Sequence, residues 1–148
     1  MTNALDTVRR FYASLADGDV PAVLALLDSG IEWTEAERFP YYGGTWRGPD
    51  AIVKGLFEPL GRDWSSFAVN AEQFVTEGDQ VVSLGKYVGT NRETGRSVTA
   101  PFAHHWTVRA DKIVRFVQHT DTAKILEAIG NKGDARQSAA RELHHAGL

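Results

Sequence analysis

The sequence predicts an α+β domain in which N-terminal helices cover the concave face of a strongly curved, mostly antiparallel sheet. Three observations predict it. Stretches of helical spacing occupy the first part of the chain, the period falls from near four to two from Phe67 onward, and glycine- or aspartate-bearing turns punctuate the chain beyond that point. At 148 residues the chain fits one domain. We assign that domain to residues 1–130, with 131–148 a C-terminal extension whose Ala, Arg and His content leaves open whether it is helical.

Taken in order, Thr2 to Ala16 place Leu5, Val8, Phe11, Tyr12 and Leu15 at helical spacing, with Thr2 or Asn3 available as cap, and Asp17-Gly18-Asp19 stops the helix. Pro21 opens a short second helix to Leu27. Ile31 to Glu35 reads as a strand, Arg38 to Gly48 as a structured loop of the kind that acts as a lid, and Asp50 to Phe57 as a third helix ended by Gly61. The later strands are Phe67–Thr76, Gln80–Asn91, Ser97–Val108 and Ile113–Thr120. Asp121 or Thr122 can cap a last helix through Ile129.

Composition narrows the function. Sixteen basic and nineteen acidic residues, mixed along the chain, give a net charge of −3 and no polyphosphate-binding stripe, so nucleic acid is not an expected partner. No apolar run is long enough for a membrane span and no leader is expected, which leaves a cytoplasmic protein as the expectation. The absence of cysteine excludes disulfides and thiolate metal sites. No His-Glu spacing suggests a metal, and no cofactor is expected.

The hairpin Thr99 to Thr122 carries the candidate site. If Ala110 and Asp111 form a two-residue turn, strict alternation puts Phe102, His104, Trp106, Val117, His119 and Asp121 on one face, and His105, Thr107, Val114, Phe116 and Gln118 on the other. The first face mixes bulky apolar groups with imidazoles and a carboxylate, as a ligand pocket requires. A slip of one residue exchanges His104 with His105. Asp121 has a plain role open to it as a helix cap, His104 and His119 as hydrogen-bonded core histidines, and His105 as a surface or dimer-interface group. Glu35 shares a parity with Trp33, and is either a buried carboxylate near the mouth or a solvated one.

The Asp-Gly-Asp between the first helices, Ile31-Glu32-Trp33, the loop Gly43-Gly44-Thr45-Trp46-Arg47-Gly48, and the hairpin Lys112-Ile113-Val114 ending in Asp121 together resemble the NTF2-like superfamily, and within it SnoaL-like and ketosteroid-isomerase-related proteins. The resemblance implies a cone enclosing an apolar pocket for a small hydrophobic molecule, and a homodimer through the outer sheet face. Ketosteroid isomerase uses a carboxylate base with an oxyanion hole built from a tyrosine and a protonated aspartate. Here Phe11 falls at the position of that tyrosine, Tyr12 is turned about 100° away, and the base falls at Thr34 or Glu35, which disfavours steroid isomerisation. SnoaL-like cyclases place an acid/base aspartate eight residues after the hairpin isoleucine, where Asp121 stands relative to Ile113, and a paired-strand histidine for which His104 or His105 is the counterpart.

Two function classes remain open. One is a cofactor-independent isomerase, cyclase or lyase abstracting a proton from a small hydrophobic carbonyl compound. Asp121 or Glu35 would be its base, His104 or His119 would steady the enolate, and Phe11, Trp33, Tyr42, Phe102 and Trp106 would hold the substrate. The other is a non-catalytic binder of hydrophobic molecules or an assembly domain of the same fold. Val114, Phe116 and Thr107 on the outer face are the expected dimer contact, so Phe116→Asp would give a monomer or an insoluble chain.

Overall fold

The computed structural model describes residues 3–41 and 43–130. Helices α1 (Ala4–Ala16) and α2 (Val20–Ala25) are each capped by a side chain, Asn3 accepting from the Asp6 amide and Asp19 from the Ala22 amide. After β1 (Leu27–Thr34) and β2 (Thr45–Arg47), the chain runs α3 (Pro49–Ile52), a π-helical turn (Val53–Phe57) and α4 (Glu58–Asp63) without a break. The third helical region is therefore longer than its sequence pattern suggests, and Gly61 lies inside it. Strands β3 (Trp64–Glu77), β4 (Gln80–Asn91), β5 (Ser97–Arg109) and β6 (Lys112–Thr120) follow, then α5 (Thr122–Ile129).

The six strands form one sheet in the order β2-β1-β6-β5-β4-β3, antiparallel except where β1 runs parallel to β6. The sheet is mixed, curled and unclosed, with α1 and α2 packed into its concave face around Val8, Phe11, Val23, Trp33, Trp106 and Phe116. A second apolar cluster joins α5, through Ile125, Ala128 and Ile129, to Tyr87, Ala100 and Phe102. Trp46 is fully buried against Gly55, where an added Cβ would clash with the indole ring. Gly55→Ala is accordingly expected to cost about 1–3 kcal/mol by overpacking, read as a lowered urea midpoint at unchanged slope. An unshifted midpoint would mean that the indole has room to move.

The two-residue turn at Ala110-Asp111 forms as expected, both residues taking positive φ (50° and 62°), the geometry of a hairpin turn that matches strand twist. Arg109 pairs with Lys112 and Val108 with Ile113, but Thr107 pairs with Arg115. Val114 is thus an extra residue, a β-bulge, and beyond it the alternation of β6 is reversed. Trp106 faces Phe116, His104 faces Gln118, and Ala103 faces His119. This corrects the strict-alternation reading. Phe116 and Gln118 are buried on the concave side, while Val117 and His119 are on the outer one, where His119 is exposed. His104, rather than His105, points inward, as its parity predicts.

Candidate active site

A cavity of about 480 Å³ opens between the concave sheet face, α1, α2 and the α3 to α4 segment. Its wall is mostly apolar, with Phe11, Trp33, Leu56, Phe57 and Phe116 prominent, and its polar groups are few: Glu35, Tyr87, His104 and Gln118 within, Asp19 and Arg92 among those toward the mouth. This is the composition of a small-molecule site. The loop after β1 contributes Phe39 to the lining. Its neighbour Tyr41 donates to Asp63 at 3.0 Å and accepts from the Trp64 indole at 3.2 Å, which ties that loop to the end of α4.

Glu35 is the unusual group. The β1 alternation that buries Ile31 and Trp33 carries Glu35 inward too, leaving the residue only 5 % exposed. The Trp33 indole N–H donates to its Oε1 at 2.9 Å, and its Oε2 has no hydrogen-bond partner among the described residues. Burial pushes this carboxyl up to about 7, the Trp33 hydrogen bond opposing the rise. A carboxyl at that value, with one oxygen unpartnered among the described residues and its residue in the lining of an apolar cavity, has the protonation range of a general base or acid near neutral pH.

Beside it runs a buried polar chain. The Trp106 indole donates to Ser83 Oγ (2.9 Å), Ser83 meets Tyr12 Oη (2.5 Å), Tyr12 meets His104 Nδ1 (2.6 Å), and His104 Nε2 meets Tyr87 Oη (2.5 Å). Gln118 Nε2 donates to the same Tyr87 oxygen at 2.9 Å, and Gln118 Oε1 accepts from the Ala36 amide at 3.0 Å. Burial, reinforced by the charge of His119, holds His104 well below the ordinary histidine range, so it is neutral. Tyr87 is raised well above the phenol range by burial and then by Glu35.

The predicted site residues divide accordingly. Phe11, Trp33, Glu35 and His104 line the cavity. Trp106 and Phe102 are buried behind it, Trp106 with its ring centroid 4.9 Å from Phe11 and Phe102 stacked on His104 at 3.9 Å. His119 lies on the outer face because of the bulge. Asp121 is outside the cavity lining as the cap of α5, its Oδ1 accepting from the Lys124 amide at 3.3 Å. Tyr42 lies outside the described residues, as does the 131–148 extension. Sequence reasoning missed Ser83, Tyr87, Gln118 and the reach of Tyr12. Ser83 and Tyr87 share the inward parity of Val81, a signal available in β4, whereas Gln118 was hidden by the bulge. Among the described residues no cluster of three His, Cys, Asp or Glu side chains is placed to hold a metal, and no helix is long and apolar enough to cross a membrane.

Known proteins place this architecture. The family model described as the SnoaL-like domain matches residues 8–116. An NTF2-like protein of Burkholderia thailandensis is 38 % identical over 87 % of this chain and 98 % of its own, with a TM-score of 0.83. An NTF2-like protein of unknown function from Burkholderia pseudomallei is 31 % identical over 88 % and 99 % of the two chains, with a TM-score of 0.80. TerC, co-crystallised with polyporic acid, is 27 % identical over 86 % of this chain and 98 % of its own, with a TM-score of 0.78. Among curated proteins none matches. A concave-sheet cavity beneath N-terminal helices, a family model spanning most of the chain and near full-length likeness to NTF2-like structures together make this chain a member of the SnoaL-like family, with the NTF2-like fold.

Proposed function

We propose that this protein is an enzyme that moves a proton on a small hydrophobic carbonyl compound, in an isomerisation, cyclisation or lyase reaction, with Glu35 as the base. The observation that carries this is the buried Glu35, a residue of the apolar cavity lining whose Oε2 has no hydrogen-bond partner among the described residues. The carboxylate takes a proton from the carbon beside the carbonyl and the C–H electron pair passes into the enolate; the proton is then returned at another carbon or, where the carbanion closes on a second carbonyl, to the oxygen of that carbonyl. Side chains alone can supply this chemistry. Of the two candidate bases only Glu35 is a residue of the cavity lining, and of the two histidines offered to steady the enolate only His104 is, which supports this choice.

The test uses aryl ketones with exchangeable α-protons in deuterium oxide, followed by NMR, with polyporic acid as a competing ligand because TerC was crystallised with it. Wild-type protein is expected to accelerate deuterium incorporation and Glu35→Gln to remove most of that acceleration. Equal rates in the two proteins would refute the assignment. Phe11 favours a second reading, non-catalytic binding, because it supplies an apolar wall and no donor. Binding without any accelerated exchange would select that reading.

A homodimer through the outer sheet face also belongs to this proposal. With Phe116 turned inward, the outer face offers Val75, 55 % exposed, and its paired neighbour Val82, with Val117 paired to His105 alongside. Val117→Asp, which leaves the cavity lining intact, is expected to give a folded monomer by sedimentation. A folded Val117→Asp dimer would put the interface elsewhere.

A further inference from the structure

We propose that Tyr87 is the hydrogen-bond donor of this cavity, presenting its hydroxyl proton to an acceptor oxygen of the ligand while His104 is held as its Nε2–H tautomer. The inference rests on the reading of the cavity as a ligand site and adds to it the class of ligand oxygen recognised, a carbonyl or an enolate.

Both ends of the buried chain have fixed direction. The Trp106 indole can only donate to Ser83. At the other end the Ala36 amide donates to Gln118 Oε1, which orients the side-chain amide so that its Nε2 donates to Tyr87. Between them lie the contacts Ser83 to Tyr12, Tyr12 to His104 and His104 to Tyr87. Each contact takes one proton. The hydroxyls of Ser83, Tyr12 and Tyr87 and the ring N–H of a neutral His104 supply one proton more than the contacts use.

The tautomer decides where the surplus goes. With the proton on Nδ1, Tyr87 must donate to Nε2, and the surplus is stranded on Ser83 or Tyr12. Neither lines the cavity, Ser83 is fully buried and Tyr12 half-buried, and neither has a further acceptor among the described residues. A buried donor without an acceptor is costly. With the proton on Nε2, every donor points the same way: Trp106 to Ser83, Ser83 to Tyr12, Tyr12 to Nδ1, Nε2 to Tyr87. The surplus proton is then that of Tyr87, whose residue lines the cavity as Glu35 does. A hydroxyl that accepts from both His104 and Gln118 is polarised and becomes a stronger donor. Phe11 lines the cavity from α1 without being able to donate; Tyr87 supplies the donor from β4.

Two measurements test this. In ligand-free protein, nitrogen–hydrogen correlation NMR of the His104 ring reads the tautomer directly. Nε2–H is expected, and Nδ1–H overturns the proposal. The second uses benzophenone, which has an acceptor oxygen and no α-proton, against diphenylmethane. Its outcome is therefore independent of whether Glu35 abstracts protons. Wild-type protein is expected to bind benzophenone about tenfold more tightly than the hydrocarbon. The C=O stretch should be lowered on binding, and Tyr87→Phe should erase both the preference and the shift. No preference in wild-type protein, or a preference that survives in Tyr87→Phe, overturns the proposal.

Discussion

Glu35→Gln is expected to make the protein more stable at pH 8 than the wild type, by roughly 3 kcal/mol, while lowering ketone proton exchange by about 10²-fold or more. The reason is linkage. Glu35 is raised from 4.5 to about 7 by burial, so the folded state holds its proton more tightly than the unfolded chain does. Below about pH 4.5 the carboxyl is protonated in both states and costs nothing. As pH rises toward 7 the unfolded chain ionises first and stability is lost; above 7 both states are ionised and the loss is complete. Glutamine keeps an oxygen for the Trp33 indole and has no charge to bury. Urea midpoints at pH 4.5 and pH 8 for both proteins check this. A wild type whose stability does not fall relative to Glu35→Gln over that interval would show that the carboxylate is solvated.

Phe116→Ala is expected to cost about 3–5 kcal/mol, the range for a large aromatic removed from a filled core. Phe116 is 2 % exposed, stacked on Trp33 at a centroid distance of 3.8 Å and packed against Trp106 at 4.6 Å. Phe116→Asp would strand a charge between those rings, so an insoluble Phe116→Asp chain reports on the core and says nothing of a dimer. Thermal unfolding of Phe116→Ala should fall by more than about 10 °C. A drop of only a degree or two would mean that the residue faces outward after all.

The two substitutions mark where the sequence was legible. Helix spacing, caps at Asn3 and Asp121, and the two-residue turn at Ala110-Asp111 are local properties, and the chain forms them where its pattern predicts. Inward parity carried Trp33, Glu35, His104 and Trp106 to the concave side, because nothing interrupts the alternation of β1 or β5 there. The bulge at Val114 is different. One unpaired residue, itself an ordinary β-former, reversed the faces of Phe116, Gln118 and His119, and no composition signal sets it apart from its neighbours. The buried polar chain was hidden for a related reason: Tyr12, Ser83, Tyr87, His104 and Gln118 come from four separate elements and are unremarkable until the sheet curls.

The parallel pairing of β1 with β6 governs how the molecule must come into being. Trp33 pairs with Phe116 and Thr34 with Val117, joining an early strand to one completed only near the end of the described chain. Such non-local contacts exact loop-closure entropy before they return any stability, and chains dominated by them fold slowly. During synthesis the hairpins of β3 to β5 can assemble while Trp33 and Glu35 wait for their neighbour. The Gln118 amide that braces Ala36 and Tyr87 is therefore among the last parts to arrive, and the cavity's polar wall acquires its orientation only when the final strand docks.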